Sequence, residues 1–428
     1  MMVANRAPIE QEIDVCGLAV RGKLPSGLQG TLYRNGPNPR PGTPEGHWFV
    51  GDGMIHAVSF ADGRCSYRNR WVLPQTEHAL GKANTHAVFH AGSLMALEEA
   101  HPPVALTPST LTRSGACYQP GPFTAHPKHD PLTGELVFFG YAADGAGSHA
   151  IRCGTLDRSG HLNWETRFEA PFSSMIHDAA VTTRHIALPV FPLVRESVDT
   201  FRFAWRPDLG SYLAVLERGE SGDAVRWYEA PTVYAFHIAN AWEDHERLYF
   251  DLFVYDTPPL FPGPDGQQPT QRQGRPCRWS VALNGHAPVR VEPLHDMCGE
   301  FGRIDDRLAG SRYDQIYCTS RVYAEHSGFQ AIARLNPGDG TVDQFDFGMQ
   351  ASVSEPVFVP RHPCARSDDG WLLSVIWRPD FPSSRLAVFD AAHVADGPVA
   401  SVILPQRVPD GFHGSFVPDV LLTGGLLR

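Results

Sequence analysis

Residues 47–72 read HWFVGDGMIHAVSFADGRCSYRNRWV. Two turn signals, Gly51-Asp-Gly53 and Ala61-Asp-Gly63, divide this stretch into WFVGDG, MIHAVSF and SYRNRWV. The runs alternate polar with β-branched or aromatic residues, and Asp-Gly pairs favour tight reversals, so each reads as a short strand in a meander. The same rhythm continues outward. Leu132-Thr-Gly134 precedes ELVFFGY, Asp157-Arg-Ser-Gly160 separates two more strands, and residues 241–244 lead into RLYFDLFVY. Asn336-Pro-Gly-Asp-Gly340 precedes TVDQFDF, and Asp368-Asp-Gly370 precedes WLLSVIW. Helix signals are few; residues 15–23 and 100–106 are expected to form short helical turns.

Composition agrees with an all-β reading. The 428 residues hold 40 glycines and 37 prolines, which suits many turns and short strands. No Ser/Gly tract or charged block marks a linker, so one domain over residues 1–428 is expected. Four-stranded units spread over so long a chain fit a β-propeller better than a sandwich. A propeller axis gathers side chains from every blade, so residues distant in sequence can meet there.

Composition also excludes some functions. The net charge is −11 and no basic stripe is present, which argues against nucleic acid or an anionic membrane as partner. No apolar stretch reaches the roughly 20 residues of a membrane-spanning helix. The apolar loop Thr257-Pro-Pro-Leu-Phe-Pro262 leaves a peripheral membrane contact open. None of the eight cysteines forms a C-x-x-C pair, and the N-terminus lacks a secretory pattern. Reduced thiols in the cytoplasm are therefore expected.

Four of the 20 histidines stand in distinctive settings. His126 lies in Phe123-Thr-Ala-His-Pro-Lys128 and His177 in Ser174-Met-Ile-His-Asp178. His237 lies in Tyr234-Ala-Phe-His-Ile-Ala-Asn240 and His413 in Gly411-Phe-His-Gly414. Their wide separation rules out zinc-finger spacing. On a propeller, each would come from a different blade. The remaining histidines, including His47, His56, His86 and His90, read as surface or structural.

Residues 28–39, LQGTLYRNGPNP, followed by residues 47–56, HWFVGDGMIH, resemble the N-terminal signature of the carotenoid cleavage oxygenase family. The resemblance recurs around His126 and His237, at Ser354-Glu-Pro-Val-Phe-Val359 and around His413, and so spans nearly the whole chain. It implies a seven-bladed β-propeller with an axial iron(II) beneath a dome of loops and short helices. It implies iron ligands at His126, His177, His237 and His413, and carboxylates buttressing three of them at Glu99, Glu300 and Glu355. It also implies that the methyl group of Thr85 crowds one open coordination position.

The chemistry is coherent with this set. Four neutral imidazoles leave the iron's double positive charge uncompensated, and a carboxylate on the far N–H of an imidazole fixes its tautomer and raises its basicity. Iron(II) accepts six ligands, leaving room for dioxygen, whereas zinc has no redox chemistry.

The expected activity is oxidative cleavage of a conjugated alkene by O2 into two carbonyl products, with an apocarotenoid or other linear polyene favoured as the hydrophobic substrate. A stilbene or phenylpropenoid such as a vinylphenol or isoeugenol-like compound is the alternative. Non-oxidative isomerisation and a ligand-binding propeller without redox chemistry are the minor ones. Phe49, Phe191, Phe236, Phe301 and Trp377 are candidates for an aromatic substrate tunnel. The chain departs from the family in a short segment between Val72 and Asn84, which implies a trimmed dome. It also carries Glu98 where stilbene cleavers typically have lysine; that residue is a candidate partner for a phenolic hydroxyl.

Overall fold

The turn signals mark the ends of most strands correctly. The computed structural model describes residues 5–43, 47–72, 82–115, 121–196, 202–269, 273–326 and 328–424. MIHAVSF falls in strand Gly53–Ala61 and SYRNRWV in Arg64–Trp71, joined through Asp62 and Gly63, both at positive φ. RLYFDLFVY is strand Arg247–Tyr255, and WLLSVIW falls in Gly370–Trp377. Among the described residues there are seven sheets of three or more strands and one two-stranded hairpin, Leu193–Arg195 with Phe203–Trp205. The chain is a seven-bladed β-propeller.

Two compact units organise the chain, residues 1–118 with 314–428 and residues 119–313. In the first unit, N-terminal strands pair with C-terminal ones. Gly30–Pro37 lies between Gly53–Ala61 and Gly414–Pro418, while Val20–Gly22 pairs with Ala400–Ile403. Glycine is required at this closure. A Cβ on Gly36 would stand 2.6 Å from the Gly411 Cα, and one on Gly414 would stand 2.7 Å from the Tyr33 carbonyl oxygen. The N-G-P and G-F-H-G motifs therefore lie against each other because neither backbone leaves space for a side chain. Leu32, Val58, Val357, Leu373, Leu386, Val388 and Val402 pack into one core of this unit.

The second unit carries three four-stranded sheets. One edge strand of each is, in turn, Lys128–His129, Ala180–Val181 and Tyr234–Glu243. Ile151, Ile176, Ile186, Leu188, Val190 and Leu216 form its core. At about 25 cal/mol per Å² of apolar surface removed from water, such side chains supply the dominant stabilising term.

Three local expectations are corrected. Residues 15–23 hold strands Asp14–Cys16 and Val20–Gly22 rather than a helical turn, with Gly17 at φ 69° between them. Residues 100–106 end in strand Val104–Leu106. Pairing with Arg64–Trp71, Ala400–Ile403 and Ser93–Leu97 draws these segments into ladders, which local propensity does not report. WFVGDG is not a strand; Trp48–Val50 is a 3₁₀ turn in which the Phe49 N–H is capped by the His47 ring. The described residues hold one α-helix, Asp419–Leu422, and no helix among them is long and apolar enough to cross a membrane. Most of the shortened dome segment, residues 73–81, lies outside the described residues.

Candidate metal centre

All four candidate ligands sit at or just before an edge strand of a different sheet. His126 precedes Lys128–His129, His177 precedes Ala180–Val181, His237 lies in Tyr234–Glu243, and His413 precedes Gly414–Pro418. All four are buried, at 4–8% exposure. His237 is presented by an irregularity. Ala235 pairs with Val254 and Ile238 with Leu252, so Phe236 and His237 together oppose Phe253 alone. That β-bulge re-aims the imidazole out of the ladder.

One ring nitrogen from each of His126, His177, His237 and His413 lies within 4.8 Å of the other three. The Nε2 atoms of His126 and His177 are 3.1 Å apart, and those of His177 and His237 are 3.2 Å apart. His237 Nδ1–H donates to Glu300 Oε2 at 2.5 Å, which leaves a lone pair on its Nε2. One proton on His177 Nε2 could satisfy only one of its two close nitrogen neighbours. Converging lone pairs repel one another unless a cation lies among them. For metal–nitrogen bonds of about 2.1 Å, imidazoles at right angles would place their nitrogens about 3.0 Å apart, close to the observed spacing. The four-histidine cluster fits a metal site.

Glu300 and Glu355 meet these rings directly. Glu300, 3% exposed, accepts from His237 and also from the Phe301 N–H at 2.6 Å, both on Oε2. Glu355, 5% exposed, accepts from His413 Nδ1–H on Oε1 and from the Gly414 N–H on Oε2, each at 2.9 Å. Glu355 lies where the ladder register shifts, since residues 354–356 oppose only residues 374–375, and Pro356 has no N–H to offer. Glu99 follows strand Ser93–Leu97 and is half-buried. Thr85 lies beside the His413 segment, its carbonyl accepting from the His413 N–H at 3.1 Å. Its hydroxyl donates to Asn84 Oδ1 at 3.0 Å.

Aromatic rings surround the histidines. Phe236 stands edge-on to His177, with ring centroids 5.0 Å apart, and Phe301 stacks on His237 at the same distance. Phe301 takes φ 56°, a left-handed backbone that phenylalanine rarely adopts. Phe191, Phe236, Ile238 and Leu252 border a small cavity beside His177. Phe49 packs edge-on against Phe412, the neighbour of His413. Trp377 ends its strand opposite Ser352. Glu98 is already engaged, accepting from the Lys82 N–H at 2.8 Å and pairing with His101.

Two contributors were not picked out by sequence reasoning. Asn35, fully buried, donates from Nδ2 to the Ala83 and His86 carbonyls, and its own N–H donates to the His413 carbonyl. Asp178 ties together the segments that carry His126, His177 and His237. The backbone strain at Phe301 has no sequence signal. The only available hints were that Asn35 falls inside the N-terminal motif and Asp178 adjoins His177.

Fold and site together define a propeller with an all-histidine cluster that fits a metal. The family model described as retinal pigment epithelial membrane protein matches residues 6–418, and the chain belongs to that family, the carotenoid cleavage oxygenases. It is 33% identical to the isoeugenol monooxygenase of Pseudomonas nitroreducens, covering 97% of this chain and 98% of the relative. It is 32% identical to resveratrol cleavage oxygenase 1 of Aspergillus fumigatus, covering 96% and 94%. Among solved structures, the lignostilbene dioxygenase of Pseudomonas brassicacearum superposes with a TM-score of 0.90 at 30% identity, covering 96% of each chain.

Proposed function

We propose that this protein is an iron(II)-dependent dioxygenase that cleaves a conjugated C=C bond, with His126, His177, His237 and His413 as the metal ligands. The observation that carries the reading is the convergence of four buried imidazole nitrogens, with carboxylates on the far side of His237 and His413. Bound iron(II) supplies the redox capacity to activate dioxygen. Glu300 and Glu355 hold protons on the Nδ1 atoms, so the Nε2 lone pairs stay available. Glu99 is the third buttress in this reading, and the Thr85 methyl narrows access to one coordination position. Phe236 and Phe301 wall the centre with apolar surface and exclude water from the reacting alkene. The reaction balances without a separate reductant: one alkene and one O2 give two carbonyl products, each carrying one oxygen atom.

Two substrate classes fit. Sequence reasoning favours a linear polyene of apocarotenoid type. The identities to relatives named for isoeugenol, resveratrol and lignostilbene favour an aryl alkene. In that second reading Glu98 is not a simple replacement for a phenol-binding lysine, because His101 and the Lys82 N–H already occupy it. A cytoplasmic setting belongs to this reading on the sequence alone, from eight cysteines with no C-x-x-C pair. A peripheral lipid contact through the loop at residues 257–262 has little support, since Pro258, Pro259 and Phe261 are buried and Phe261 packs on Phe203.

The test is oxygen uptake by iron(II)-loaded protein against apocarotenals, stilbenes and 4-vinylphenols including isoeugenol, with products identified by mass and labelled with ¹⁸O2. Uptake with aldehydes from one class assigns the substrate. Stoichiometric iron with no uptake across the panel points to isomerisation, and failure to hold iron overturns the reading.

A further inference from the structure

We infer that Asp178, paired with Lys128, is a positioning residue that sets the spacing of three of the four proposed ligands. This inference rests on the metal-site reading above. The Asp178 side chain is 2% exposed yet carries a carboxylate, which stays buried only when its oxygens are matched by donors. The Lys128 ammonium lies 2.8 Å from Oδ1 and donates to Oδ2 at 3.1 Å. The Ala179 N–H donates to Oδ1 and the Ile238 N–H to Oδ2, each at 2.8 Å.

The placement of these partners gives the carboxylate its significance. Lys128 lies two residues after His126, Asp178 adjoins His177, and Ile238 follows His237. One carboxylate therefore joins the three ligand-bearing segments of three different sheets. No backbone ladder links Lys128–His129, Ala180–Val181 and Tyr234–Glu243 to one another, because each is hydrogen-bonded to a strand of its own sheet. The Ile238 contact falls at the bulge that presents His237, where ladder pairing is interrupted and the Ile238 N–H is taken by Asp178. A charged, fully matched group here resists sliding of one segment past another. It holds the Nε2 spacings of 3.1 and 3.2 Å on which a common metal position depends.

The competing explanation is a stabilising ion pair with no bearing on the metal. The two differ in what the metal reports. Full-length wild type, Asp178→Asn, Lys128→Met and the double variant would be stripped of metal and titrated with cobalt(II) against a competing chelator. The visible ligand-field spectrum and the thermal midpoint of the metal-free protein would be recorded alongside. Asn keeps the size of Asp178 and one acceptor oxygen but loses the charge that draws in Lys128. The inference expects each single variant to lose about tenfold or more in cobalt affinity. It also expects an altered ligand-field spectrum and a double variant little worse than either single one. Folded variants with wild-type affinity and spectrum would overturn it, as would losses that simply add. If Asp178→Asn does not fold, Lys128→Met alone decides by the same affinity and spectrum. Wild type that takes up no cobalt or iron overturns the metal-site reading itself, and this inference with it.

Discussion

Glu355 and Glu300 hold their histidines in different ways, and replacing each with glutamine should show it. Glu355 uses one oxygen for the His413 Nδ1–H and the other for the Gly414 N–H, both at 2.9 Å in a site only 5% exposed. In Glu355→Gln one of these donors must face an amide NH2. If that donor is Gly414, a buried N–H goes unmatched, at a cost of about 1–3 kcal/mol. If it is His413, the ring is driven to the tautomer with its proton on Nε2, and the ligand lone pair is lost. Either way metal affinity should fall by about 10–100-fold, or about 1.4–2.8 kcal/mol. Glu300 instead accepts from His237 and Phe301 on the single atom Oε2. In Glu300→Gln the amide oxygen can keep both donors, so the loss should be clearly smaller. The assay is titration of metal-free protein with iron(II) or cobalt(II) against a chromophoric chelator, with circular dichroism to confirm folding. Equal affinities for the two variants, or wild-type affinity in folded Glu355→Gln, would refute the reasoning.

Two further outcomes follow from the buried His56 and from Phe301, which stacks on the ligand His237. Burial, then the Arg34 and Arg407 charges, push His56 down to about 3. An unfolded histidine titrates near 6.5, so the unfolded chain takes up more protons between those values, and stability present above pH 6.5 is lost as pH falls. At pH 5 this one residue should cost roughly 2 kcal/mol, and His56→Gln should remove that share of the acid sensitivity in urea melts at pH 7 and pH 5. An unchanged pH dependence would contradict the assignment. Phe301 holds φ 56°. Phe301→Gly should therefore be more stable than Phe301→Ala by about 1 kcal/mol, since both lose the ring on His237 but only glycine relieves the backbone. An alanine variant as stable as the glycine variant in thermal melts would show that no strain is held there.

Strand positions were legible because turn chemistry and alternation are local properties. The runs MIHAVSF, RLYFDLFVY and WLLSVIW became strands within a residue or two of their turn signals. Residues 15–23 and 100–106 misled because their state depends on partners hundreds of residues away or on a neighbouring ladder, as Val20–Gly22 with Ala400–Ile403 shows. The four histidines and the carboxylates at 300 and 355 could be named from motifs, since their residue types at those positions carry the chemistry. What the motifs could not show was how Glu355 divides its two oxygens between His413 and Gly414, or how Glu300 serves two donors with one.

By itself, then, the sequence determined the all-β class, the turn positions and the residues with the chemistry to hold a metal. It did so because alternation, glycine and proline placement, and side-chain donor type are written residue by residue. Tertiary structure alone decided which residues work together. Asp178 joins Lys128 to Ile238, Asn35 reaches both the Ala83 and His413 segments, and Gly36 yields to Gly411. Each of these is a contact between segments remote in sequence, set by the packing of sheets, and no local pattern encodes which remote backbone will arrive there.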